Sequence, residues 1–281
     1  MTARMETFRG RQLRKELLRL REAAGLAMED VAQRLDWSKA KISRIETGRT
    51  RVTPSDVRLL VEEYGVTDEQ ERQALMDLAR KARKQGWWHN YSDVIASPYV
   101  GFEAEASGVR TYQSQLVPGL LQTEGYVRAL LSSVRPALPR HEIDRRVEAR
   151  VARQERLGEQ DAPHLWAILD EAVFHRLVGG PDVMAGQLDR LREAARLPNV
   201  TLQVLPFSAG SHPAMGVPFV ILDFDGPTPV SAIYLEHLTG ELYLDEATDL
   251  SRYGLVFDYL RAKATDPEEV VPMIDAVASR L

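Results

Sequence analysis

The sequence contains no cysteine, which excludes disulfides, a cysteine nucleophile, iron–sulfur clusters and thiolate zinc sites. No apolar run approaches the roughly 18 residues that a membrane-spanning helix needs. The opening MTARMETFRGRQLRK lacks the apolar centre of a secretory signal, so a cytoplasmic protein is expected. Histidine is scarce, 6 in 281 residues, and none falls at metal-ligand spacing. A Walker loop, GxGxxG, GxSxG and HExxH are all missing. Nothing in the chain therefore predicts catalysis, a cofactor or a metal.

What is present is a globular composition with unevenly placed charge. Hydrophobic residues make up 44% and charged residues 27%, which suits folded domains, and the length favours two of them. The net charge of −5 taken alone argues against a nucleic-acid partner. Its distribution argues the other way. Residues 1–60 carry 14 Lys/Arg against 8 Asp/Glu, and the rest carry 22 against 33. A basic N-terminal end on an acidic remainder fits a small DNA-binding module joined to a different kind of domain.

Apolar periodicity predicts a helix over 9–24, with Leu13, Leu17, Leu18 and Leu20 at helical spacing and Gly25 as its stop. A short helix follows over 28–35. After a turn at Asp36-Trp37 comes a third helix over 39–47, capped by Ser38 and ended by Gly48. Thr53-Pro54-Ser55-Asp56 opens a fourth, and Thr67-Asp68-Glu69-Gln70 a fifth running towards Lys84. The expectation is an all-α unit of five helices over 1–84. The stretch 85–100, with its Gly86-Trp87-Trp88, is read as an aromatic, docked connection. Beyond it, 101–281 reads as an α+β domain with a small mixed or antiparallel sheet. Helices are expected over 103–113, 124–134, 140–157, 171–177, 181–197, 246–263 and 267–280. Strands are expected over 164–169, 200–205, 217–224, 231–235 and 241–244.

The second and third helices have the lengths and separation of a helix-turn-helix, whose second helix enters the major groove. With Ile42 and Ile45 inward, Lys39, Ala40, Ser43 and Arg44 fall on the open side as candidate base contacts. Ser38, Lys41, Arg49 and Arg51 are candidate phosphate contacts. Double-stranded DNA is the expected partner. A single such motif makes few base contacts, so a homodimer on paired half-sites is expected.

The segment LAMEDVAQRLDWSKAKISRIETGR resembles the helix-turn-helix of the phage-repressor, or Xre, family. The shared pattern is apolar-x-x-x-x-Val-Ala-x-x-Leu, a turn, Ser, then Ile-Ser-x-Ile-Glu-x-Gly. The resemblance implies base-facing roles for Lys39, Ala40 and Arg44, and a structural ion pair between Glu46 and Arg21. Two residues depart from it. Ala27 stands where a capping Ser or Thr is usual, at a cost of about 1 kcal/mol to that helix start. Met28 replaces a polar residue that often touches phosphate.

A second series of motifs runs through the rest: Gly86-Trp87-Trp88, FEAEA from Phe102, VPGLLQT from Val117, RVARQ from Arg150, LDEA from Leu169, Gln187-Leu188, PNVT from Pro198, QVLP from Gln203 and Tyr234-Leu235-Glu236. It is similar to the C-terminal domain of actinobacterial regulators of the WhiJ-like type, also described as Scr-type, antitoxin-like regulators. The resemblance implies a transcriptional regulator of development or secondary metabolism, nucleoid-associated when bound to DNA. It also implies a small acidic partner protein encoded nearby, and it supplies no settled ligand or activity. Control by a small molecule is the alternative, and a C-terminal enzyme with an attached DNA-binding domain a weaker one.

Within that domain, Arg146, Arg150 and Arg153 on one helix, and His212 in the loop PFSAGSHPAMG, are the candidate partner or ligand region. An ion-paired, solvated helix and a plain connecting loop are the structural alternatives. Asp170-Glu171 with His175 suggests acid–base or metal chemistry less economically than it suggests a strand end and a helix start.

Overall fold

Leu13, Leu17 and Leu20 share one face of a 16-residue helix, Phe8–Ala23 (α1), and burying that face organises the N-terminal unit. The structure, a computed structural model, describes residues 7–83, 86–95, 97–225 and 230–281. The domain boundary expected at 84–85 and the end of the fifth helix at Lys84 lie outside the described residues. By contact density the chain divides into two units, Met1–Ser92 with Ala96–Phe102, and Asp93–Ile95 with Glu103–Leu281.

Four helices complete the first unit with α1: Met28–Arg34 (α2), Lys39–Glu46 (α3), Pro54–Glu63 (α4) and Glu69–Ala82 (α5). Their boundaries follow local chemistry. Thr7 caps α1 by accepting from the Gly10 amide at 3.1 Å. Ser38 caps α3 through the Lys41 amide, and Thr53 caps α4 through the Asp56 amide, each at 3.1 Å. Pro54 sits at the first position of α4 and Gly48, at φ 73°, follows α3. The cap of α5 is Asp68, which accepts from the Gln70 amide at 3.0 Å; the helix starts one residue later than a cap at Thr67 would place it. The shared core holds Leu13, Leu17, Val31, Ile42, Ile45, Val57, Leu60, Leu75 and Ala79.

The aromatic segment packs inside this same unit. Trp87–Tyr91 forms a short 3-10 helix, and Trp88 is buried. A Cβ on Gly86 would lie 1.8 Å from the Trp88 ring, so only glycine fits there; one on Gly101 would lie 3.3 Å away.

The second unit is built on a six-stranded mixed sheet. Its strands are Gly108–Gln113 (β1), His164–Asp170 (β2), Val200–Leu205 (β3), Phe219–Phe224 (β4), Val230–His237 (β5) and Gly240–Leu244 (β6), in the order β3-β2-β1-β4-β5-β6. β1, β2 and β3 are parallel, while β4, β5 and β6 continue from β1 antiparallel. The register sets Tyr112 opposite Ile168 on one side and Phe219 on the other.

The central strand corrects the expected helix over 103–113. A helix does begin the segment, Tyr99–Glu105 (α6), but it stops before Gly108. From there Val109, Thr111 and Tyr112 favour extended backbone, and β2 and β4 pair with it on either edge. Flanking the sheet are Glu124–Ser133 (α7), Arg140–Gln154 (α8), Ala172–His175 (α9), Pro181–Ala194 (α10), Ala247–Lys263 (α11) and Val270–Ala278 (α12). α11 covers the face carrying Tyr112, Ile168, Ile221 and Ile233 through Phe257 and Leu260. No helix among the described residues is long and apolar enough to cross a membrane.

Candidate nucleic-acid interface

The short helix α3 has one side committed and one side open. Ile42, Ile45 and Glu46 are buried, while Lys39, Ala40 and Arg44 are exposed and Ser43 is half-buried. Thr47 shares the open side with Ala40 and Arg44 at helical spacing, and its hydroxyl donates to the Ser43 carbonyl at 2.7 Å. It was legible as the next member of the 40, 43/44, 47 series, yet no motif drew attention to it. Arg44 has no ion-pair or hydrogen-bonded side-chain partner among the described residues. Lys39 pairs with Glu29 at the start of α2, both of them exposed, and this bond holds the Glu29 carboxyl below its usual range.

What fixes the orientation of α3 is a buried fork. The Arg21 guanidinium meets Glu46 through Nε–Oε1 at 2.5 Å and Nη2–Oε2 at 3.0 Å, and donates from Nη1 to the Leu26 carbonyl at 2.7 Å. The bidentate geometry joins α1 to the end of α3 and satisfies both charges away from water. Donating to Glu46 raises the guanidinium above its ordinary value. Tyr64 packs nearby, and burial raises its phenol above the usual range.

Lys41, read as a phosphate contact, has its charge engaged within the fold. Its ammonium lies 2.8 Å from Asp56 and 3.3 Å from the Trp37 ring centroid. Burial alone would raise the Asp56 carboxyl, but hydrogen bonds from Lys41 and Thr53 outweigh it and hold the group below the usual carboxylate range. Trp37, Lys41 and Asp56 thus tie the turn, α3 and α4 together. At the start of α2, Ala27 offers no side-chain cap, but Asp30 accepts from the Ala27 amide at 2.9 Å. Half of the reciprocal cap survives the missing hydroxyl.

Beyond Gly48 the chain carries Arg49, exposed, and Arg51, half-buried. Together with Arg14 and Arg83 they line a cleft of about 550 Å3 at the C-terminal end of α3. Four arginines thus gather around one opening at the end of that helix.

The arginines of α8 have a different arrangement. Arg153 is buried against Glu103 in a two-pronged ion pair. Arg146 pairs with Glu142 one turn earlier at 2.8 Å, and Arg150 donates to Gln122 at 3.3 Å. Gln154 donates to the carbonyls of Gly119 and Gln122 at 3.1 and 2.6 Å. A Cβ on Gly119 would lie 2.6 Å from Arg150 and 3.0 Å from Arg153, so VPGLLQT uses its glycine to admit two guanidinium groups. Gln187, fully buried, accepts from the Thr123 amide at 2.7 Å and donates to the Leu121 carbonyl at 2.8 Å. The motifs FEAEA, VPGLLQT, RVARQ and Gln187-Leu188 therefore close into one hydrogen-bonded network.

His212 is placed elsewhere, with its Nε2 3.3 Å from the Tyr112 hydroxyl. Asp170 ends β2 by accepting from the Ala172 amide at 2.9 Å, and Glu171 accepts from the Phe207 amide at 2.7 Å. No group of three metal-ligating side chains occurs among the described residues.

A family model described as a domain of unknown function, DUF5753, matches residues 96–276. The chain belongs to the DUF5753 family. A helix-turn-helix domain model matches residues 12–75, the span from α1 to the middle of α5. The N-terminal unit of this DUF5753 protein is thus a helix-turn-helix domain and the protein a DNA-binding regulator. No curated protein and no solved structure matches the chain.

Proposed function

We propose that this is a sequence-specific transcriptional regulator of the Xre type, acting in the cytoplasm on the nucleoid and without enzymatic activity. The observation that supports this reading is the exposed face of α3, with Arg44 unpaired in a short helix whose opposite side is buried. Lys39, Ala40, Ser43 and Arg44 read base edges. Lys39 exchanges its Glu29 partner for an acceptor in the groove, and Ser38, Arg49 and Arg51 hold phosphates. Lys41 contributes mainly by holding the helix, given its contacts with Asp56 and Trp37. Two copies pair on half-sites about one DNA turn apart. In this reading the C-terminal domain is WhiJ-like and receives a small acidic partner protein.

Binding-site selection with the full-length protein tests the base-reading part. The expected result is a two-fold symmetric site, with Arg44→Ala relaxing preference at one position in each half. An unchanged preference would overturn the assignment of Arg44. Arg51→Ala is expected to weaken binding uniformly across sequences and to lower the salt dependence by about one phosphate contact. Co-purification with the product of the adjacent gene tests the partner. Its absence, together with a ligand-dependent melting shift, would favour small-molecule control, for which the C-terminal unit offers a cavity.

A further inference from the structure

We propose that the cavity beneath Pro213–Val217 is a binding site for a small ring-bearing molecule that carries both a cationic donor and an anionic acceptor, the class that aromatic amino acids exemplify. The cavity measures about 340 Å3 and lies wholly within the C-terminal unit. Phe219, which begins β4, and Leu244, which ends β6, form its floor, while Tyr253 and Val256 of α11 form one wall. The rings of Phe219 and Tyr253, which line it, meet edge to face at 5.1 Å, and buried Tyr112 backs Phe219 at 6.3 Å. This aromatic surface suits a flat apolar ring.

Its position has a topological reason. Tyr112 and Phe219 are opposite one another where the parallel half of the sheet meets the antiparallel half. They lie at the C-terminal edge of the parallel strands, the edge of open α/β sheets at which ligands collect. A connection has to leave this edge and return, and here Pro206–Pro218 does so over the cavity. It is fastened near its start, where the Phe207 amide donates to Glu171 at 2.7 Å, and again at His212. His212 meets the Tyr112 hydroxyl, which lies 3.3 Å from Asp170, and Ala214 is buried. On the far side of His212, Met215 and Val217 remain exposed, so the roof is pinned beside Tyr112 and open towards Val217.

Asp249 and Arg252 supply the polar end. Both line the cavity, three residues apart on α11, and neither has an ion-pair partner among the described residues. That spacing places a carboxylate and a guanidinium side by side on the helix surface. A lone carboxylate on the ligand would be drawn to Arg252 and repelled by Asp249, and a lone ammonium the reverse. A molecule bearing both groups satisfies both residues while its ring fills the apolar floor.

Calorimetric titration of the full-length protein with L-phenylalanine, phenylacetate and phenethylamine tests the site. A ligand of this size is expected to bind at about millimolar Kd, with phenylacetate and phenethylamine each weaker by about tenfold. Arg252→Gln, an exposed change that leaves the core intact, should remove the advantage of L-phenylalanine over phenethylamine. Asp249→Asn should remove its advantage over phenylacetate. Equal affinity for all three compounds, no heat from any of them at about 20 mM, or an L-phenylalanine affinity indifferent to both substitutions would each overturn the proposal. It gives a place to the small-molecule reading of regulation, and its failure would leave the DNA-binding reading standing, because the titration contains no DNA.

Discussion

Two helices rich in positive charge, α3 in the N-terminal unit and α8 in the C-terminal unit, use that charge in opposite ways. Along α8 each of the arginines singled out from sequence meets an acceptor inside its own unit, and Arg153 is buried to do so. Along α3 the two charged residues with interior partners, Lys41 and Glu46, fix the helix in place, and Arg44 is left exposed. A basic helix is thus a poor guide to its role until the acceptors within reach are known. A carboxylate or amide supplied by the fold turns a guanidinium into a structural brace. Where none is supplied, the charge is available to an outside partner.

The sharpest way to break this contrast is to remove the acceptor on which α8 depends most. Glu103→Ala takes the two-pronged carboxylate from the buried Arg153 guanidinium, and is expected to cost about 3–5 kcal/mol of stability. Urea unfolding of the C-terminal transition would show it. Replacing both partners, as in Glu103→Leu with Arg153→Met, should recover much of the loss, because packed apolar groups need no counter-charge. A single mutant that loses less than about 1 kcal/mol would mean that α8 is not braced by this pair.

Next in size is the effect at the open helix. Arg44→Ala should leave stability within about 0.5 kcal/mol, since it touches nothing in the interior. It should reduce discrimination at one base pair by about 1–3 kcal/mol, measured by competition between the selected site and single-base variants. If stability falls and discrimination does not, the two helices differ less than their geometry indicates.

The parts of this contrast that were legible in the sequence share a physical cause. In the N-terminal unit, caps, glycine stops and apolar spacing are local signals, and Ser38, Thr53, Gly25 and Gly48 marked ends of three helices to within a residue or two. The Arg21–Glu46 fork came with the motif, through family resemblance. In the C-terminal unit the decisive interactions are long-range. Glu103 and Arg153 are 50 residues apart, and Gln187 reaches across 64 to the Thr123 amide. No periodicity announces such pairings. The strand β1 reads as helix from sequence for the same reason, since its extended form depends on β2 and β4, which arrive far later in the chain. The motifs of this half marked the right residues while concealing that they serve one another.

A third, smaller effect concerns the start of the helix-turn-helix. Ala27→Ser should restore the missing cap of α2, where Asp30 already accepts from the residue 27 amide. A gain of about 1 kcal/mol in the N-terminal transition is expected. Base preference should stay unchanged, because the substitution completes the cap of α2 without altering the open face of α3.

The smallest expected effect is the one that best separates a brace from a decoration within α8 itself. Arg146 and Arg153 are two turns apart on the same helix, and each meets a carboxylate. Arg146 does so at 2.8 Å with Glu142, one turn away on the same helix and with both side chains partly in water. Such a pair competes with hydration and with side-chain entropy, so Arg146→Ala should change stability by no more than about 0.5 kcal/mol, an effect that fades further in high salt. Arg153→Ala takes the two-pronged partner from the buried Glu103 carboxylate instead, and its cost should persist in salt because the charge lies away from the solvent. Measuring both variants at low and high ionic strength therefore asks whether burial, and not the mere presence of a carboxylate, makes an arginine structural. If Arg146→Ala cost as much as Arg153→Ala, burial would not be what distinguishes them, and the reading of exposed Arg44 as the residue left for DNA would lose its physical basis.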